Sequence, residues 1–200
     1  MSKKNYPPLF LILGLLLFIN PHSFAQMKAL SKGSKAPMFT SNASMAGNEF
    51  EFSLKEALEK GPVVVYFYPA AYTGGCDLEA HTFAEMKDKF TAAGATIIGV
   101  SADDIERLKS FSSSPEYCAG KFPVASDEGG KIAATYGLEL IPPKAGAKDV
   151  TGQEISHGFI PRTTFVINKT DEIIAVFSSE TDHISPDEHV KKSLEIVEQL

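Results

Sequence analysis

A cysteine placed between a buried strand and a helix constrains this chain more than any other feature. Residues 63–68 read VVVYFY, a run of β-branched and aromatic residues that predicts a buried strand. Pro69 ends that strand, and a short loop leads to Cys76. The apolar spacing of residues 77–90 predicts a helix. The thiol therefore lies where the free N–H groups of a helix and its dipole favour an anion, and hence a thiolate.

The first 25 residues are predicted to be a secretory signal peptide. Two lysines precede an apolar run over residues 9–19 that is too short to span a bilayer comfortably, and small residues stand three and one positions before Gln26. Cleavage there leaves residues 26–200, the length of one domain with its own core. We therefore expect an exported protein, periplasmic or secreted, with no stable membrane association after cleavage. An uncleaved membrane anchor is the alternative.

The charge and motif content of the sequence exclude several kinds of function. The formal net charge is −6, and no basic run is present, which argues against binding to nucleic acid or anionic membranes. His157, His183 and His189 are scattered without the spacing of metal ligands. Because the sequence also lacks a phosphate loop and a dinucleotide-binding motif, we expect no metal and no cofactor.

The chain has two cysteines, Cys76 and Cys118, and is expected in an oxidising compartment. A structural disulfide between them is one interpretation. The position of Cys76 favours a reactive thiol instead, because a structural cysteine does not need a helix N-terminus preceded by a Thr-Gly-Gly loop. On cysteine content alone both interpretations stay open.

Strands and helices alternate through the middle of the chain, and a hairpin and a helix close it. The predicted strands are a short one ending at Thr40 and those at residues 48–52, 63–68, 95–101, 122–125, 162–167 and 173–177. Helices are predicted to start after the caps Ser53, Asp103 and Ser185, at Cys76, and near Glu128. Residues 137–158 are expected to form a long surface excursion with a hairpin-like turn. This pattern predicts an α/β domain with a mixed central sheet flanked by helices on both faces.

Three segments resemble one protein family. Pro69, Thr73 and Cys76 spell P-x-x-x-T-x-x-C, residues 121–127 read KFPVASD, and residues 161–167 read PRTTFVI. This combination resembles the peroxiredoxins of the AhpC/TSA superfamily, thiol peroxidases built on a thioredoxin-like fold, over most of the mature chain. The chain looks most like the branch known as bacterioferritin comigratory protein or peroxiredoxin Q. The resemblance implies a thioredoxin-dependent peroxidase that reduces hydrogen peroxide and organic hydroperoxides.

The resemblance also implies roles for four residues. Cys76 would be the peroxidatic cysteine, which becomes a sulfenic acid; Thr73 would hold the peroxide for in-line attack; and Pro69 would shield the thiolate from water. Arg162 opens a strand expected beside the one that leads to Cys76, and in the family this arginine contacts both the thiolate and the peroxide. Ordinary loop or surface roles are the alternative for Thr73, Pro69 and Arg162.

The helix alone cannot ionise the thiol. Lowering the pKa of Cys76 from about 8.5 to about 6 requires roughly 3.4 kcal/mol. A helix N-terminus supplies about 0.3–1 kcal/mol and at most about 2 kcal/mol. We therefore expect a cation beside the sulfur, and Arg162 is the candidate because a guanidinium stays charged and offers fixed donors.

Many peroxiredoxin Q-like proteins carry a second cysteine five residues after the first, but here His81 occupies that position. The resemblance implies that Cys118 substitutes for it and attacks the sulfenic acid, forming an intramolecular disulfide after local unwinding of the helix. A thioredoxin-like dithiol protein would recycle that disulfide. Glu79 matches a glutamate common after the catalytic cysteine and is expected to be structural. The protein is expected to be a monomer or a weak dimer.

Other functions remain open at this point. Cys118 could be inert in a one-cysteine peroxidase. A thiol-disulfide oxidoreductase is disfavoured because Thr73 stands where a C-x-x-C motif needs its first cysteine, and a copper chaperone would need C-x-x-x-C. A catalytically inactive binding domain with a structural bridge between Cys76 and Cys118 is the fourth possibility.

Overall fold

The computed structural model describes residues 1–2 and 28–200, so the predicted cleavage site before Gln26 lies outside the described residues. Among the described residues, the strands are β1 Thr40–Met45, β2 Asn48–Ser53, β3 Val63–Phe67, β4 Thr96–Ser101, β5 Val124–Ser126, β6 Thr163–Ile167 and β7 Ile173–Ser178. The helices are α1 Leu54–Lys60, α2 Gly74–Ala92, α3 Ile105–Ser113, α4 Lys131–Thr135, α5 Ser179–Asp182 and α6 Pro186–Val197.

The strands form one mixed sheet in the order β2-β1-β5-β4-β3-β6-β7. Strand β3 is parallel to β4 on one side and antiparallel to β6 on the other. All five residues of β3 are buried, as its unbroken run of β-branched and aromatic residues predicts. The predicted α/β fold with a mixed central sheet is confirmed.

Helices cover both faces of this sheet, which confirms the predicted layering. Side chains of α2, α3 and α6 form one core with Val64 and Tyr66 of β3. Side chains of α1 and α4 form the other core with the alternate β3 residues Val63, Val65 and Phe67. The period-2 alternation of the strand thus divides its side chains between two apolar layers.

The start of the sheet differs from the prediction. The strand expected to end at Thr40 begins there instead, and its six residues pair with β2 in an antiparallel hairpin. The loop is Ala46-Gly47, and both residues have positive φ, 53° and 79°. Positive φ at both positions is the geometry of a two-residue hairpin turn whose twist matches the flanking strands.

The cap of α3 also differs from the prediction. Asp104, not Asp103, caps this helix, and its carboxylate accepts a hydrogen bond from the backbone N–H of Arg107 at 2.8 Å. Asp103 is fully buried because its side chain points towards the loop that precedes α2. The short α5 was not predicted.

Residues 137–158 fold back on themselves, as expected for an excursion with a hairpin-like turn. An isolated antiparallel bridge pairs Lys148 with Glu154, and the N–H of Asp149 donates to the carbonyl of Gln153 at 3.0 Å. The base of the excursion is closed by a bridge between Ile141 and Phe159. Within the part of the chain that the structure describes, no helix combines the length and apolar character that crossing a membrane requires.

Candidate active site

The end of β3 delivers Cys76 into the first turn of α2. Helix α2 begins at Gly74, two residues earlier than expected, with Thr73 at the N-cap position. The N–H of Cys76 donates to the carbonyl of Thr73 at 2.8 Å, so the cysteine is fixed by the helix itself. Its side chain is buried, with 1% of the residue exposed.

Arg162 reaches this thiol from the neighbouring strand. In the antiparallel pairing of β3 and β6, Phe67 lies opposite Thr163, so the residue before β6 lies beside the loop after β3. Nη2 of Arg162 donates to Sγ of Cys76 at 3.1 Å. A Cβ at Gly75 would lie 3.2 Å from that same Nη2, so the glycine leaves room for the guanidinium. The sheet thus unites two groups 86 positions apart.

Glu79 holds the other side of the guanidinium. Its carboxylate forms an ion pair with Nη1 of Arg162, and both side chains are largely buried, at 0% and 10% exposure. Burial raises the pKa of Glu79 to about 7, although Arg162 opposes the shift. Burial works against the charge on Arg162, but Glu79 and Cys76 raise the pKa of the guanidinium, which therefore stays charged. Glu79 therefore contacts the guanidinium on the side away from Cys76, and its structural role stays a prediction.

The acidity of Cys76 differs from the expectation of a lowered pKa. Burial raises the pKa of this thiol, and the effect exceeds the lowering by Arg162 and by the hydrogen bonds with Ala70 and Thr73. The cause is desolvation, which disfavours the charged form of any acid. Arg162 is the largest influence that favours the thiolate, but it does not reverse the upward shift of the pKa.

Thr73 and Pro69 lie in the loop that connects β3 to α2. The hydroxyl of Thr73 donates to the carbonyl of Ala70 at 2.8 Å, and its oxygen keeps acceptor capacity. Thr73 makes no side-chain cap bond to α2, so its hydroxyl is not needed to start the helix. Pro69 is partly buried, two residues after the end of β3. The structure therefore brings Thr73, Cys76 and Arg162 together at one loop.

Cys118 lies apart, in a turn that follows α3. It is fully buried in the same apolar core as Cys76, on the α2 face of the sheet. Both cysteines are free thiols. Burial, and then the negative charge of Asp77, raises the pKa of Cys118 far above its usual range. In this conformation Cys118 is a protonated thiol enclosed in the core.

Two groups beside the site were not predicted. Arg107 donates a hydrogen bond to the loop between β3 and α2. The i, i+4 spacing of Asp103 and Arg107 could have predicted the ion pair that these two residues form. His189 of α6 is buried, with Nδ1 2.9 Å from Oγ1 of Thr164 and Nε2 2.9 Å from Oγ of Ser179. Across the described residues, no three His, Cys, Asp or Glu side chains are grouped so as to hold a metal ion.

Comparison with known sequences identifies a protein family. The AhpC/TSA family model matches residues 32–176. The chain is 32% identical to the chloroplastic peroxiredoxin Q of Oryza sativa subsp. japonica over 172 residues, which cover 86% of this chain and 68% of the rice protein. It is also 32% identical to the chloroplastic peroxiredoxin Q of Gentiana triflora over 170 residues, covering 84% of this chain and 67% of that protein.

Solved structures agree with the sequence comparison. The crystal structure of peroxidoxin BcpB from Mycobacterium tuberculosis superimposes with a TM-score of 0.69 at 29% identity, covering 86% of this chain and 98% of that one. Xanthomonas campestris peroxiredoxin Q superimposes with a TM-score of 0.59 at 23% identity, covering 79% of this chain and 89% of that one, and at that identity it supports the fold alone.

Proposed function

This chain belongs to the AhpC/TSA family of peroxiredoxins and is a thiol-dependent peroxidase; on that premise we propose that Cys76 is its peroxidatic cysteine and Cys118 its resolving cysteine. The observation that carries the first assignment is the 3.1 Å contact between Arg162 and Cys76. Cys76 is the cysteine that has a permanent cation beside it, and Cys118 is surrounded by apolar side chains and a carboxylate's charge.

In the first step, the thiolate of Cys76 attacks the terminal oxygen of a hydroperoxide. A sulfur–oxygen bond forms, the O–O bond breaks, and the leaving oxygen takes up a proton and departs as water or an alcohol. The sulfur is oxidised to sulfenic acid and the peroxide is reduced. Arg162 offers donors where negative charge develops on the departing oxygen, and Thr73 is positioned to bind the peroxide.

In the second step, the thiol of Cys118 attacks the sulfenic acid of Cys76. A disulfide forms, and the hydroxyl on sulfur leaves as water with the proton of Cys118. The two thiols are buried at separate places in the core, one in α2 and one in the turn after α3. We therefore propose that the first turn of α2 unwinds before the disulfide forms. A thioredoxin-like dithiol protein then reduces the disulfide and is itself oxidised.

Intact mass of the reduced protein after one equivalent of hydrogen peroxide tests both assignments. The proposal expects the loss of two hydrogens in the wild type. Cys118→Ser should instead gain one oxygen, and Cys76→Ser should not react rapidly. A stable gain of one oxygen in the wild type would remove Cys118 from the mechanism and favour a one-cysteine peroxidase. Rapid peroxide consumption by Cys76→Ser would overturn the assignment of Cys76.

We propose in addition that the protein is exported and that residues 1–25 are removed. The support is the arrangement of lysines, apolar run and small residues before Gln26. Sequencing the N-terminus of the protein recovered from fractionated cells tests this. A chain that starts at Gln26 outside the cytoplasm is the expected result, and an intact Met1 or Ser2 in the cytoplasm would contradict it.

A further inference from the structure

A buried ion-pair network holds the loop that carries Thr73. We call its members Asp103, Arg107 and Asp149 the loop bracket. Oδ2 of Asp103 accepts a hydrogen bond from the N–H of Ala71 at 2.8 Å, and Nη2 of Arg107 donates to the carbonyl of the same residue at 3.2 Å. The bracket therefore binds both backbone polar groups of Ala71, and so fixes the peptide on each side of this residue.

Arg107 is the centre of the bracket, and all three nitrogens of its guanidinium donate hydrogen bonds. Nε donates to Asp103 at 3.0 Å, Nη2 pairs with Asp149, and Nη1 donates to the side-chain oxygen of Gln153 at 2.9 Å. The guanidinium carbon also lies 4.7 Å from the centre of the Tyr72 ring. The side chain is 12% exposed, and both aspartate side chains are fully buried. A lysine has no fork that could make these contacts together.

The excursion at residues 137–158 supplies the outer half of the bracket. Oδ1 of Asp149 accepts from both the backbone N–H and the hydroxyl of Thr151 at 2.7 Å, so the carboxylate is fixed in its own turn. Burial opposes its charge, but the hydrogen bonds from Thr151 and Arg107 lower the pKa of Asp149 to about 2. The next residue, Val150, donates its N–H to the carbonyl of Tyr72 at 2.9 Å. The excursion thus contacts the loop both directly and through Arg107.

The backbone of the loop shows why such support is needed. Tyr72 has a φ of 59°, in the left-handed region that a bulky side chain rarely adopts. Such a conformation persists where the surroundings impose it, and it is found disproportionately at functional sites. Here Arg107 of the bracket contacts the peptide before Tyr72 and its ring, and the N–H of Val150 binds its carbonyl. The next residue is Thr73, and Cys76 follows within one helical turn.

We propose that Arg107 is a positioning residue for peroxide reduction, which acts through Ala71 and Tyr72 to place the Thr73 hydroxyl relative to Cys76. This rests on the roles proposed above for Thr73 and Cys76. Arg107 touches neither the thiol nor the substrate in this role. Its effect is on where the peroxide is held, and therefore on the rate of the oxygen transfer per thiolate. The hydrogen bond with Thr73 also favours the thiolate, so both rates are compared per thiolate.

The test compares two reactions of Cys76 in a Cys118→Ser background, where Cys76 is the one remaining cysteine and each measured rate is therefore its own. The first is oxidation by hydrogen peroxide, and the second is alkylation by iodoacetamide, which does not need the peroxide to be oriented. Arg107→Met should slow oxidation by roughly 10- to 100-fold, the usual consequence of a misplacement of about 1 Å. Alkylation should stay the same or become faster, because the loop loosens. Arg107→Lys should recover only part of the oxidation rate.

Two further variants keep the test decisive. Asp149→Asn weakens the bracket from the excursion and should slow oxidation without slowing alkylation even if Arg107→Met does not fold. Lys109→Met is the control. Lys109 is a cation of the same helix, but it pairs with Glu106 at 3.0 Å and lies outside the bracket. Both rates should therefore match those of the parent protein.

Equal losses in both reactions, or no loss of the oxidation rate in either bracket variant, would overturn the proposal. Its failure is distinguishable from failure of the proposed function. If Cys76 were not the peroxidatic residue, the Cys118→Ser parent itself would show no rapid oxidation of Cys76, before any bracket variant is compared.

Discussion

Glu79 and Cys76 lie one helical turn apart in α2 and bind the same guanidinium. One positive charge, that of Arg162, therefore compensates two acids that are both buried. Because each acid competes for this charge, their protonation is coupled, and ionisation of one disfavours ionisation of the other. The reactivity of the thiol is thus set by a group of three side chains, which can be altered one at a time.

Removing the charge of Arg162 should disable the peroxidase. In Arg162→Met the thiolate loses its cation and the developing alkoxide loses its donors, so the second-order rate of Cys76 oxidation should fall roughly 10²- to 10³-fold. Arg162→Lys keeps a charge but cannot contact Cys76 and Glu79 through two donors of a rigid fork, and an intermediate rate is expected. Competition against a peroxidase of known rate gives the measurement. A loss of less than threefold in Arg162→Met would show that the arginine has no catalytic role.

Neutralising Glu79 should make Cys76 more acidic. The negative charge of Glu79 raises the pKa of the thiol, and Glu79→Gln removes that charge while it keeps an oxygen for Arg162. The pKa of Cys76, read from the pH dependence of thiolate absorbance near 240 nm, should therefore fall. Glu85→Gln is the matched control, because Glu85 is an exposed carboxylate on the same helix. An increase in the pKa of Cys76 in Glu79→Gln would mean that orientation of Arg162 outweighs charge.

The hydroxyl of Thr73 should matter more for catalysis than for stability. Thr73→Val has nearly the same shape and removes no cap bond, but it removes the hydrogen bond that the hydroxyl donates to the carbonyl of Ala70 at 2.8 Å. We expect oxidation of Cys76 by peroxide to slow roughly 10- to 100-fold, the range of a lost positioning contact, and the free energy of unfolding to fall by about 1 kcal/mol. Thr73→Ser should retain most of the rate. Equal rates for the serine and valine variants would remove the hydroxyl from the mechanism.

The parts of the site that the sequence predicted are those set by short motifs and strand pairing. Cys76 follows a strand of unbroken apolar character, and Arg162 precedes the strand that pairs with it, so their meeting follows from the topology of the sheet. Asp103 was predicted to cap α3, but Asp104 beside it carries the same carboxylate and takes that role in the structure. Which of two adjacent aspartates points inward depends on Arg107, and the position of Arg107 depends in turn on Asp149, 42 residues further along the chain in the excursion.

The burial of individual side chains could not be predicted from the sequence either. The expected lowering of the pKa of Cys76 counted the helix and the cation but not the loss of water around the sulfur, which is the largest influence on this thiol. His189 was likewise one of several scattered histidines in the sequence. Its full burial against β6 becomes evident only from the packing of α6.

That burial predicts a pH dependence of stability centred on His189. Burial and the positive charge of Arg162 lower the pKa of this imidazole to about 4, below its ordinary 6.5. Between these values the unfolded chain binds the additional proton, so folding stability is complete above about pH 6.5 and falls as the pH drops to about 4. The shift corresponds to about 3 kcal/mol. Urea unfolding at pH 7 and pH 4.5 measures the loss.

The variant His189→Gln isolates this contribution. Glu79 titrates in the same range with the opposite sign, because its pKa is raised by burial and its protonated form favours the fold as the pH falls. The difference between wild type and His189→Gln cancels that contribution, and the variant should lose less stability on acidification even if it is less stable at pH 7. His81→Gln, which replaces an exposed histidine of α2, should follow the wild type. Parallel curves for wild type and His189→Gln would show that the buried imidazole accepts a proton without cost to the fold.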